Sequence, residues 1–187
     1  MQKSIFLLLF TAVVFSSCIE EPEYTNEPRI SVVRAVNQPA NRGDSIAVVI
    51  SFQDGDGDLG LEASDLEPDY GQYLIDEVGN LVVDSNGDTV QNPFHHNMFI
   101  DILKKEGSNF TEVEFGFPFY SRFPPLNTLG NQTALEGEMS QSFLLILGFG
   151  SEPVLRQGDT VKLQVQIADR AKNLSNVAET EEFVLGQ

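Results

Sequence analysis

The stretch Asp54-Gly55-Asp56-Gly57-Asp58-Leu59-Gly60 sets three carboxylates on alternate positions, with glycines between them that let the backbone curl. A hard cation such as Ca2+ takes about six to eight oxygens at 2.3–2.6 Å, some from carboxylates and some from carbonyls. Without a cation, the three charges repel one another across five residues. A second oxygen-bearing group, Asp169-Arg170-Ala171-Lys172-Asn173, closes another apolar-alternating stretch. Asp54, Asp56, Asp58, Asp169 and Asn173 are therefore candidate ligands for calcium, if the fold joins the two segments. Asp84-Ser85-Asn86-Gly87-Asp88 repeats the theme, but Asn-Gly between Val83 and Thr89 reads as a hairpin turn.

The first loop is similar to calcium loops of the Asp-x-Asp-x-Asp type and departs from the EF-hand. Its glycine, Gly60, falls one place late, Asp65 stands where the EF-hand has glutamate, and a strand rather than a helix precedes it. Other chemistry finds little footing. His95-His96 with Asp101 suggests zinc, yet adjacent histidines on an extended chain point to opposite sides, so a loop before the strand at Met98 is expected. There is no Gly-x-Ser-x-Gly elbow, and Cys18 is the sole cysteine. No phosphate-cradling glycine loop is present. A non-enzymatic protein is the reading; a hydrolase using a pair of these acids is the enzymatic alternative.

The elements that must carry these loops are strands. Apolar and β-branched residues run or alternate over 29–36, 45–52, 73–75, 81–83, 98–103, 111–117, 143–149, 160–167 and 177–185. The segment 37–43 between the first two reads as a turn. Gly43-Asp44 to Asp54 aligns without gaps to Gly158-Asp159 to Asp169, with Ile46, Val48, Ile50 and Phe52 matching Val161, Leu163, Val165 and Ile167. Short strands with Gly, Pro and Asn between them predict an all-β chain: a single immunoglobulin-like sandwich of about 7–9 antiparallel strands. With 45–52 as strand B and 160–167 as strand F, the loops after both emerge at one pole, which brings Asp54 and Asp169 together. The stripe Val113, Phe115, Phe117, Phe119 is expected to face the core, with Pro118 marking an edge.

The first residues give an address. Lys3 precedes an apolar run from Ile5 to Phe15, and Ser16-Ser17 stand before Cys18. This resembles the export signal of a bacterial lipoprotein, with Phe15 where that pattern has Leu, Val or Ile, and it implies removal of 1–17 and acylation of Cys18. The apolar run is too short to span a bilayer of about 30 Å. Residues 18–28 read as the lipidated cysteine and a flexible acidic linker, which if extended reaches up to about 30 Å; residues 29–187 form the domain. Acidic residues directly after Cys18 resemble the signal that sends Bacteroidota lipoproteins to the cell surface.

The formal charge of −17, from 28 acidic and 11 basic residues, argues against nucleic acid and against electrostatic docking on anionic lipid. It favours divalent cations or basic partners. Taken with the Ile-Ser-Phe-Gln-Asp-Gly-Asp-Gly-Asp-Leu-Gly and Ala-Asp-Arg-Ala-Lys-Asn-Leu-Ser-Asn stretches, the chain resembles uncharacterised Bacteroidota lipoproteins built on an immunoglobulin-like or cadherin-like sandwich. That resemblance implies an outer-membrane, lipid-anchored, surface-exposed protein. The expected role is a calcium-stabilised binding or accessory module with a glycan or protein partner; a purely structural surface protein stiffened by calcium is the alternative. Strand A at 29–36 runs opposite to B, so the tether should lie beside the cation site, with Glu27 within reach of it.

Overall fold

A computed structural model describes residues 23–41, 43–66, 68–127, 133–148 and 153–187; Cys18 and the export segment lie outside these. Among the described residues eight strands run in order: β1 (Arg29–Ala40), β2 (Gly43–Asp54), β3 (Met98–Glu106), β4 (Asn109–Glu112), β5 (Leu135–Ile146), β6 (Thr160–Ile167), β7 (Ala178–Glu179) and β8 (Phe183–Val184). One sheet has the order β1-β2-β5 and the other β4-β3-β6-β7, with β8 also on β6, and every pairing is antiparallel. Reading β7 and β8 as two pieces of one interrupted strand, this is the immunoglobulin-like order A-B-E facing C′-C-F-G. Among the described residues no helix is long and apolar enough to cross a membrane.

Alternation dictates the core. Ile46, Val48, Ile50 and Phe52 of β2 turn inward, as do Ile100 and Ile102 of β3 and Val161, Leu163, Val165 and Ile167 of β6, and all belong to one buried cluster. Each such side chain contributes about 1.5–3 kcal/mol by leaving water. The aligned pair β2 and β6 thus forms the centre, one strand in each sheet.

Several boundaries differ from the sequence reading. β1 continues through Pro39 to Ala40, so the expected turn at 37–43 shrinks to the residues after Ala40. Proline is tolerated there because β1 is an edge strand whose outer amides have no ladder partner. β5 starts at Leu135 rather than at 143, while β4 stops at Glu112 rather than 117. The last strand breaks between Glu179 and Phe183.

The long connection from β2 to β3 contains a device the sequence reading missed. Leu74 donates its N–H to the Val90 carbonyl, Val90 to Val82, and Val82 back to Leu74, at 2.9, 3.0 and 2.9 Å. Three short antiparallel arms radiate from this ring: a stem bridged at Tyr73 and Gln91, and hairpins bridged at Ile75 and Leu81 and at Val83 and Thr89. The same side-chain turn closes the tip of each hairpin and follows the stem. Oδ1 of Asp76, Asp84 and Asn92 accepts the N–H two residues on, from Val78, Asn86 and Phe94. The hairpin expected at Asn86-Gly87 is the third arm. His95 ends a 3-10 turn at Pro93–His95 before β3, as the loop reading of the two histidines expects, but their rings pack edge to face 4.8 Å apart rather than pointing to opposite sides, because the turn is not extended chain.

Asn97 ties this connection to the sandwich. Its buried amide donates to the Phe123 carbonyl (3.1 Å) and accepts the Phe123 N–H (2.8 Å). Asn97→Ala leaves the Phe123 N–H without that partner, while the carbonyl keeps the Leu61 N–H at 3.0 Å, and an unsatisfied buried polar group costs about 1–3 kcal/mol. Urea unfolding is expected to show a loss in that range or above; an unchanged midpoint would contradict this account.

Candidate functional site

Asp54 is the last residue of β2 and Asp169 follows β6 by two residues, so the packing of the two central strands delivers both carboxylates to one pole. They are 0% and 2% exposed. Between them the loop after β2 curls tightly. Asp58 donates its N–H to Asp54 Oδ2 at 3.1 Å, and carboxylate oxygens of Asp54, Asp56 and Asp58 all lie within 4.8 Å of one another. The curl depends on glycine at two places. A Cβ on Gly55 would stand 2.4 Å from the Tyr24 carbonyl oxygen, and Gly57 takes φ +70° with the Thr133 carbonyl oxygen 2.1 Å from where its Cβ would be. Leu59 and Leu61, both buried, anchor the far end of the loop in the core.

The five sequence candidates take two roles. Asp54, Asp56 and Asp58 each keep a buried Oδ1 without a hydrogen-bond partner. Asp169 is held from behind: Asn173 donates its backbone N–H to Oδ1 (2.7 Å) and its side-chain amide to Oδ2 (2.8 Å). Asn173 therefore orients a carboxylate, a role the sequence reading did not separate from ligation. The loops also meet directly, Arg170 donating its N–H to the Asp58 carbonyl at 3.3 Å. Glu27 is exposed and outside the triad, and Asp65 accepts the Glu62 N–H and pairs with Arg170 at 2.8 Å.

Electrostatics mark the cluster as short of positive charge. Burial, then Asp56, Asp58 and Asp169, push the Asp54 carboxyl up to about 7. Burial, then Asp169 and Asp56, push Asp58 up to about 6, against backbone N–H groups of Ala171 and Arg170. Asp169 is raised as well, chiefly by burial. The nearby cations face elsewhere: Arg170 pairs with Asp65 and Lys172 with Asp69. Among the described residues none forms an ion pair with the four aspartates. A divalent cation would satisfy the orphaned oxygens and the charge together, and oxygen-only donors suit a hard ion such as Ca2+.

One feature of the pole has no counterpart in the sequence reading of 18–28 as a flexible linker. Gly55 donates its N–H to the Thr25 carbonyl at 2.9 Å, and the Tyr24 hydroxyl donates to Glu136 Oε2 at 2.6 Å. Residues 24 and 25 are thus fastened to the acidic loop and to the start of β5. The sequence expectation that the residues leading into β1 adjoin the acidic pole agrees with this placement. Arg29, the first residue of β1, stands opposite Gln53, next to Asp54.

The chain matches no protein-family profile, no curated protein and no solved structure. Fold and site together define an all-β sandwich with an acidic pole built on its two central strands.

The raised carboxyls give the metal-free protein a distinct pH response. In the folded state Asp54 and Asp58 hold protons that the unfolded chain, near pKa 4, has released. Their contribution to stability is complete below about pH 4 and is lost as pH rises through 6 and 7. His96, lowered by burial, acts in the opposite sense as pH falls below about 6.5. The clean readout is therefore the difference from Asp54→Asn in chelator. That variant is expected to gain on the wild type between pH 5 and 8; parallel melting curves would refute the assignment.

Proposed function

We propose that this chain is a cell-envelope lipoprotein, anchored through Cys18 to the outer membrane and exposed at the surface, whose domain is a calcium-stabilised, non-enzymatic binding or accessory module. The observation that carries the calcium part is Asp54, a fully buried carboxylate with one oxygen unpartnered, beside the half-buried Asp56 and Asp58, each with its Oδ1 buried and unpartnered. Removing one partner from a buried charge is strongly destabilising, so a native cluster of this kind calls for a counter-ion. Supporting the anchor are the residues Lys3 to Cys18; Tyr24 and Thr25, hydrogen-bonded at the acidic pole, belong to the segment that would lead to it.

Thermal melting in calcium and in EDTA tests the cation. A ligand bound only by the folded state adds about 2.7 kcal/mol at a hundredfold excess over its Kd. Calcium is expected to raise the melting temperature of the wild type and to leave that of Asp56→Asn with Asp58→Asn unmoved. No shift in the wild type sinks the calcium reading. The anchor has its own test: metabolic labelling with an alkynyl palmitate should tag the protein and fail with Cys18→Ala, and tagging of that variant would remove Cys18 from the account.

A further inference from the structure

Past the end of β4 the chain returns along the outer edge of β3 without pairing to it throughout. Val113 donates its N–H to the Ile102 carbonyl at 2.8 Å, and Met98 and Ser121 exchange bonds of 3.0 and 2.9 Å. Between these attachments the segment bows outward around Gly116 and Pro118, opposite Ile100 of β3. The bow encloses a cleft of about 280 Å³, and its charged residues, Asp101, Glu112 and Glu114, are all acidic. Aromatic rings make much of the wall. The Tyr120 hydroxyl donates to Asp101 at 3.3 Å, and Phe117 and Phe119 lie 5.5 Å apart between centroids.

A second cleft, of about 480 Å³, adjoins the first and shares Phe115, Phe117, Phe119 and Glu114 with it. It is apolar and extends to Leu144 and Ile146 at the end of β5 and to Val154. Phe117 is 64% exposed, and Leu144, Ile146 and Val154 are each at least half exposed. The sequence reading of Val113 to Phe119 as a core stripe is thus met at Val113, Phe115 and Phe119, which pack against the core, and fails at Phe117, which the bow carries out to the shared wall.

Acids set among aromatic faces attract a cation twice, through the carboxylates and through the negative ring quadrupoles. The chain's own lysines on β3 do not fill this role, because Lys104 pairs with Asp159 and Lys105 with Glu182. A bare metal ion is also a poor fit. Among the described residues the one triad with converging carboxylates is Asp54, Asp56 and Asp58, so Asp101, Glu112 and Glu114 stand too far apart to share an ion. They match a broad organic cation, and a planar guanidinium stacks on aromatic rings better than an ammonium does. In an extended segment residues i and i+2 point to the same side. One face of such a segment can therefore supply both clefts.

We propose that the two clefts form a docking site for an extended segment of a partner protein in which an arginine is followed, two positions on, by an aliphatic residue. The guanidinium sits among Asp101, Glu112, Glu114 and Tyr120, and the aliphatic side chain lies in the larger cleft against Phe117 and Leu144. The inference rests on the reading of the chain as a binding module, and it does not depend on the cation at the opposite end of β2.

Fluorescence anisotropy with fluorescein-labelled Ser-Arg-Ser-Leu-Ser-Arg-Ser-Leu amide, in buffer saturated with calcium, tests it. Saturable binding is expected, weakened about tenfold by Glu112→Gln with Glu114→Gln, and to a similar degree by Phe117→Ala. These three positions are exposed, so unchanged melting temperatures should confirm intact folding. The peptide with Glu for Arg, and the one with Ser for Leu, should bind at least about tenfold more weakly. Absence of saturable binding, equal binding of either control peptide, or unchanged affinity in both variants would overturn the proposal. Sedimentation showing a dimer that the same variants dissociate would overturn it too, by assigning the clefts to a second copy. Loss of peptide binding with the calcium melting shift intact sinks this inference alone, and the reverse result sinks the cation alone.

Discussion

The contact on which the molecule turns is the burial of β2 against β6. Both strands present four apolar side chains at alternate positions to the same core, and both end in an aspartate at or just past the last ladder bond. Register is strongly specified when one face is buried, because a slip of one residue would turn every inward side chain to solvent. The same constraint fixes where Asp54 and Asp169 go. The acidic pole is therefore a by-product of core packing in position, though not in energy: the core must hold four carboxylates close together against their mutual repulsion.

That opposition shapes what surrounds the pole. Glycine at 55 and 57 lets the loop fold beneath Tyr24, Thr25 and Thr133, where a side chain would collide with backbone. Asn173 donates both its backbone N–H and its side-chain amide to Asp169. Arg170 and Lys172, on the loop after β6, are engaged by Asp65 and Asp69 on the connection after β2 and form no ion pair with the interior carboxylates. A chain selected for solubility alone would place its acids outward. Here Asp54, fully buried, and the half-buried Asp56 and Asp58 each hold a buried oxygen without a partner.

How much of this was legible in the sequence follows from how strongly each segment is amphipathic. β6 was read with its observed limits, and β2 within two residues, because Val161 to Ile167 and Ile46 to Phe52 alternate without interruption. The first half of β5 was not, since Glu136, Glu138, Ser140 and Ser142 give it a polar face toward solvent and Gly137, Met139 and Gln141 a weak inner face. Residues 113–117 alternate as a strand would, yet Gly116 and Pro118 release the chain from β3. The acidic cluster of Asp54, Asp56 and Asp58 was legible from spacing alone. The separate role of Asn173 was not, because donors and ligands share the same residue types. The three-armed excursion carried a readable signal that was overlooked: Leu74, Val82 and Val90, and Asp76, Asp84 and Asn92, recur at the same interval.

That excursion closes on itself. Its three arms satisfy one another through the Leu74, Val82 and Val90 ring, and the chain enters and leaves it through a single stem in which Asn92 donates its N–H to the Gln72 carbonyl at 3.0 Å. To the sandwich it is one pair of adjacent chain ends, whatever lies beyond them. A closed ring of this kind has no continuous strand edge to recruit another chain. Its arms can lengthen, shorten or change sequence without altering the distance between those ends, so this part of the surface is free to diverge while the strands beneath it stay fixed.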